Sequence, residues 1–170
     1  MRSTLVLCGA FLCAAVPGAG RVQAASGLTA AGVVLLQPER VMEARISVNE
    51  LAPYLKQVDA AATRALDRQQ AVPASAGFLV VAIRPGARSK VWLDFKPPLP
   101  KAVADALTAG TEAVRAPATT GATVAIAMKY SIGGAPAPSQ PMPAPAEWTA
   151  AAKAAKQALT IEELIDRIWK

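Results

Sequence analysis

The chain has 170 residues, of which 53% are hydrophobic and only 5% aromatic, with 18 Lys and Arg against 12 Asp and Glu, a formal charge of +6. It has no histidine, which excludes Ser-His-Asp and Cys-His catalysis and removes the commonest metal ligand. The length suits one domain, and no run of Lys or Arg marks a nucleic-acid stripe.

Residues 1–24 have the three parts of a secretory signal peptide. Arg2 gives a positive start, Leu5 to Val16 is a 12-residue apolar stretch, and Val22-Gln23-Ala24 offers small residues for cleavage before Ala25. The stretch falls short of the roughly 20 residues of a spanning helix, so no stable membrane span is expected after cleavage. The predicted location is periplasmic or secreted. Removing Arg2 and Arg21 from the 18 basic residues leaves 16 against 12, or +4. The only cysteines, Cys8 and Cys13, leave with the leader, so the mature chain has no disulfide and no thiolate metal site.

Residues 25–170 are expected to form one α+β domain. Val33-Val34-Leu35-Leu36 suggests a short strand. Met42, Ala44, Ile46 and Val48 alternate with Glu43, Arg45 and Ser47, the period-2 pattern of a half-buried strand over Val41 to Val48. Ser47 and Glu50 have capping-box spacing, so a helix should begin there or at Pro53, since proline suits a first turn. Leu51, Leu55, Val58, Ala62, Ala65 and Leu66 make one helical stripe, so a helix should run to about Gln69.

Phe78 to Ile83 is apolar on both faces, which predicts a strand that is central or covered on both sides. Pro85-Gly86 suit the centre of a type II turn, with Ala87 to Lys90 lengthening the connection. Val91 to Phe95 should pair back antiparallel. Three prolines in Pro97-Pro98-Leu99-Pro100 end that strand, since proline donates no ladder hydrogen bond. A helix from about Pro100 to Val114 and a third strand, Thr123 to Tyr130, complete a ββαβ core over residues 77–132. Residues 133–145 hold five prolines and read as a linker. Residues 146–170 read as two short C-terminal helices, the second opened by the capping box Thr160-Ile161-Glu162-Glu163. Their apolar sides should dock on the sheet or on a partner. The fold class is thus α+β: a small antiparallel sheet with a ββαβ core, preceded by a helix and followed by two short helices.

Gly77 opening a strand, the Arg84–Lys90 turn, the Val91–Phe95 strand, the helix ending in Ala113-Val114, Pro117, and Gly121 before a last strand together resemble the C-terminal domain of TonB-type energy transducers. The resemblance spans about a third of the chain. It implies a periplasmic module whose sheet edge takes up a peptide by strand addition. Carried over, the receiving edge is the last strand, with Val124, Ile126, Met128 and Tyr130. The Tyr-Pro signature before the first strand is missing, with Pro73-Ala74-Ser75-Ala76-Gly77 in its place. The helical reading of Leu51–Gln69 replaces the family's Pro-rich stalk.

No catalytic residue, metal ligand or cofactor is called for. Asp94 is the one acid inside a strand of the ββαβ core, and no spacing gives it the facing carboxylate that a hydrolase needs. Arg84, Arg88 and Lys90 form a basic turn that suits phosphate or headgroup contact, or a solvated hairpin tip. Trp92 reads as a half-buried aromatic under the tail helices, or as a binding-surface anchor. The expected role is a non-catalytic protein-binding or envelope-scaffolding module. A TonB-like transducer accessory and a carboxylate-dependent envelope hydrolase are the alternatives. The expected partner is an envelope protein or peptide held by strand addition, and no nucleic acid.

Overall fold

The apolar run at 78–83 is the middle of the molecule. The computed structural model describes residues 27–155 and 157–170; the leader expected at 1–24 lies outside them. In chain order the elements are β1 (Thr29–Leu35), α1 (Glu39–Glu43), α2 (Val48–Asp67), β2 (Ser75–Arg84), β3 (Arg88–Lys96), α3 (Lys101–Glu112), β4 (Val124–Ile132), α4 (Ala146–Ala155) and α5 (Ile161–Ile168). The strands form one antiparallel sheet in the order β1-β4-β2-β3. No described helix is long and apolar enough to cross a membrane.

Every residue from Phe78 to Ile83 is fully buried. A strand that is apolar on both sides needs cover on both faces, and the structure supplies it. Leu79, Val81 and Ile83 meet Val58, Ala62 and Leu66 of α2 and Val103 and Leu107 of α3. Phe78, Val80 and Ala82 face the other way, onto Trp148 of α4 and Leu164 and Ile165 of α5. The result is three layers: helix pair, sheet, helix pair.

The β2–β3 hairpin closes over Pro85, Gly86 and Ala87, with Arg84 opposite Arg88. Gly86 sits at φ 84°, the left-handed position a type II turn gives to glycine. The connection is shorter than expected because Ser89 and Lys90 belong to the strand. At the other end of β2, Gly77 lies opposite both Phe95 and Tyr130. A Cβ there would stand 2.1 Å from the Asp94 carbonyl oxygen, so only hydrogen fits.

The strand expected over Val41 to Val48 is not formed. The segment is α1 followed by a turn. Pro38 occupies the N-cap and Glu39 the first turn, where proline and an acid both suit a helix start. Met42 and Ile46 are buried, whereas Ala44 and Val48 are exposed. Residues four apart satisfy a helical face as well as an alternating strand, and the core took the helical solution. Ser47 does start α2, but its hydroxyl bonds the Glu50 carboxylate (3.0 Å) instead of a backbone amide. At α5 the capping box is complete in both directions.

The three-strand core gains a fourth strand. β1 pairs with β4 from Thr29 opposite Ser131 to Leu35 opposite Ile126, with an irregularity between Ala30 and Gly32.

Candidate functional site: the open edges of the sheet

The last strand is not an edge. β4 lies between β1 and β2 and is paired on both sides. Val124, Ile126, Met128 and Tyr130 point into the core under α2 and α3. The Tyr130 hydroxyl donates to Asp59 Oδ1 (2.9 Å). Burial, then the Asp59 bond and charge, push its pKa well above the usual phenol value. These four residues therefore offer no backbone to an incoming strand. The reason is topological: β1, from the start of the chain, occupies the position that the resemblance left open.

The basic turn is committed to the tail. The Arg84 guanidinium pairs with Asp166 and donates to the Trp169 carbonyl, and it lies 4.5 Å from the centre of the Trp169 ring. Arg88 stands 6.0 Å from the same ring, and the Lys90 ammonium 5.2 Å from that of Trp92. Cations over indole faces are attracted by the ring quadrupole. Trp92 is nearly buried, edge-on to Trp148 (5.5 Å) and Trp169 (6.4 Å), and its Nε1–H donates to Glu147 (2.9 Å). At the other end of α5, Glu162 accepts from Arg45 and from Gln37 Nε2 (2.9 Å). Gln37 also donates to the Thr123 carbonyl and accepts from the Ala125 amide. α5 is thus clasped at both ends. Asp94 accepts from the Ala144 amide (2.7 Å), which pins the linker beside β3. Among the described residues, no cluster of three acids, cysteines or histidines is placed to hold a metal.

The sheet keeps two open edges, β1 and β3. The Leu36 amide donates inward to the Ala125 carbonyl (3.3 Å). Antiparallel pairing alternates inward and outward amides, so Val34 also bonds inward, and Val33 and Leu35 turn their N–H and C=O groups away from the sheet. Their side chains are 51% and 43% exposed. Thr29 to Leu35 carries no charge. On β3, the Val91 amide points outward to Glu112 Oε1 (2.9 Å), and by the same alternation Leu93 and Phe95 point outward too. Sequence reasoning found β1 as a strand but missed it as an edge. The available signal was a strand without the Lys or Pro that usually blunts an edge.

No known family profile, curated protein or solved structure matches this chain.

Proposed function

We propose that the chain is an exported, periplasmic, non-catalytic binding module that takes an extended segment of an envelope protein onto the outer edge of β1. One observation carries this reading: Val33 and Leu35 present outward amide groups and exposed apolar side chains on an uncharged strand. Such an edge is a template for another strand, and proteins normally blunt it with charge or proline. Here only the irregularity at Gly32 interrupts it. An added strand gains main-chain hydrogen bonds along β1 and covers two large aliphatic side chains. Export is supported by the leader pattern of residues 1–24. The TonB-like reading is retained at the level of mechanism, strand addition in the periplasm, with the receiving edge moved to the opening strand.

The test is a photoreactive residue at Val33 in intact cells, combined with Leu35→Pro. The Leu35 amide faces outward, so proline there spares the β1–β4 ladder and blocks only an outer strand. A discrete adduct that disappears with Leu35→Pro supports the proposal. An adduct indifferent to Leu35→Pro, or none, contradicts it. N-terminal sequencing should begin at Ala25; a retained Met1 contradicts cleavage.

A further inference from the structure

The opposite edge is built differently. Beside β3 lies a cavity of about 390 Å³ that includes Leu93, Phe95, Pro98, Leu99, Ala104 and Ala144 in its walls. It sits where the edge of β3 runs between the start of α3 and the linker into α4. Its floor carries the outward amide groups of Leu93 and Phe95. Glu112 answers the neighbouring Val91 amide. Among the described residues, no hydrogen bond outside the β2–β3 ladder reaches Leu93 or Phe95. Unpaired backbone beside an apolar cavity is what an extended peptide needs: main-chain bonds for affinity and a pocket for an alternate side chain.

Charge selects the occupant. Lys96 borders the cavity, is exposed, and enters no ion pair among the described residues. The one acid in the walls, Asp94, accepts from the Ala144 amide and keeps its charge, two residues before Lys96 on the same face, so the cation acts at the Lys96 end of the cleft. α3 begins at the same end with no acidic residue in its first turn and no side-chain cap on its amides, so its positive end adds to the field of Lys96. Side chains of a strand alternate between faces. Phe95 lies on the α2–α3 side of the sheet, and Lys96, the next residue, lies on the other. A strand laid along this edge therefore meets an apolar wall on one face and, at the Lys96 end of the other, a cation.

We propose that the cleft along the outer edge of β3 binds an extended, mainly apolar peptide segment with one acidic residue opposite Lys96, seated on the backbone of Leu93 and Phe95. This site is independent of the β1 edge. With both edges occupied, one sheet joins two extended segments, as a scaffold does.

The probe is a blocked, fluorescein-labelled hexapeptide alternating valine with threonine and carrying one glutamate in place of a threonine, added to the full chain. Fluorescence anisotropy should show saturable binding. Hydrogen exchange should show new protection at the Leu93 and Phe95 amides, with none at Val33 or Leu35. Lys96→Glu should weaken binding about fivefold, in line with a surface charge pair, and should favour the same peptide with lysine in place of glutamate. Ala104→Trp, which fills the cavity from α3, should abolish binding. Leu35→Pro should leave it unchanged, which separates failure here from failure at β1. The proposal is overturned by no binding at about 1 mM peptide, by binding that protects neither Leu93 nor Phe95, or by binding insensitive to both Lys96→Glu and Ala104→Trp.

Discussion

Tyr54 and Tyr130 are the only two tyrosines of the chain, and both are buried. Burial raises the pKa of each phenol. The Asp59 bond adds to the shift at Tyr130, and at Tyr54 the Glu112 charge adds while the Ser89 hydroxyl opposes. A phenol raised in the folded state contributes stability that is complete below the ordinary value of about 10 and is lost as pH rises towards the folded value. At about pH 11 an exposed tyrosine is mostly ionised. The native protein should instead show clearly less phenolate absorbance at 295 nm than two exposed tyrosines give, with Tyr130 ionising only when the chain unfolds at higher pH. A phenolate signal of one residue near pH 10, with native circular dichroism, contradicts the placement of that residue. Tyr130→Phe should cost about 1 kcal/mol in denaturant unfolding, since Asp59 is half-exposed and recovers water when its donor goes.

Among the elements, α5 has the most explicit electrostatics. Thr160 caps it, and Glu163 accepts from the Thr160 amide and hydroxyl. The backbone bond first, then the side-chain bond, hold the Glu163 carboxyl below its ordinary 4.5. A depressed folded pKa means that this contribution is complete above 4.5 and fades as pH falls through the lower folded value. The three tryptophans, Trp92, Trp148 and Trp169, lie under or on the tail helices, so intrinsic fluorescence reports docking directly. Below pH 4.5 the tail of the wild type should loosen before the rest of the chain, and Glu163→Gln should show a smaller acid response. An identical acid response in wild type and variant contradicts the capping account. The stripes of α2, α3 and α5 and the runs of β2 and β3 were legible because each is a local pattern of period 3.6 or 2. The alternation at Met42 to Val48 misled because Met42 and Ile46 alone fit either period. The role of the basic turn was hidden for a different reason. Its partners, Asp166 and the Trp169 carbonyl, lie 82 and 85 residues from Arg84, and no local pattern records such pairs.

At the scale of the whole molecule, strand order decides what the protein offers to a partner. The ββαβ core could be read from its punctuation: the turn at Pro85-Gly86, the prolines after Lys96, and Gly121 before β4. The return of β1 to pair with β4 could not, because strand pairing across most of the chain leaves no periodic trace. That one pairing removes the edge at β4 and creates the edge at β1. Two helical layers cover both faces of β2, which leaves the edges as the exposed backbone. Amide hydrogen exchange resolved by residue tests this order most directly. Val34 and Leu36, which bond inward, should be protected together with every ladder amide of β4, while Val33 and Leu35 exchange nearly as fast as free chain. Fast exchange along one side of β4, with Val34 and Leu36 no better protected than Val33 and Leu35, would show that β1 does not cover β4 and would overturn the account.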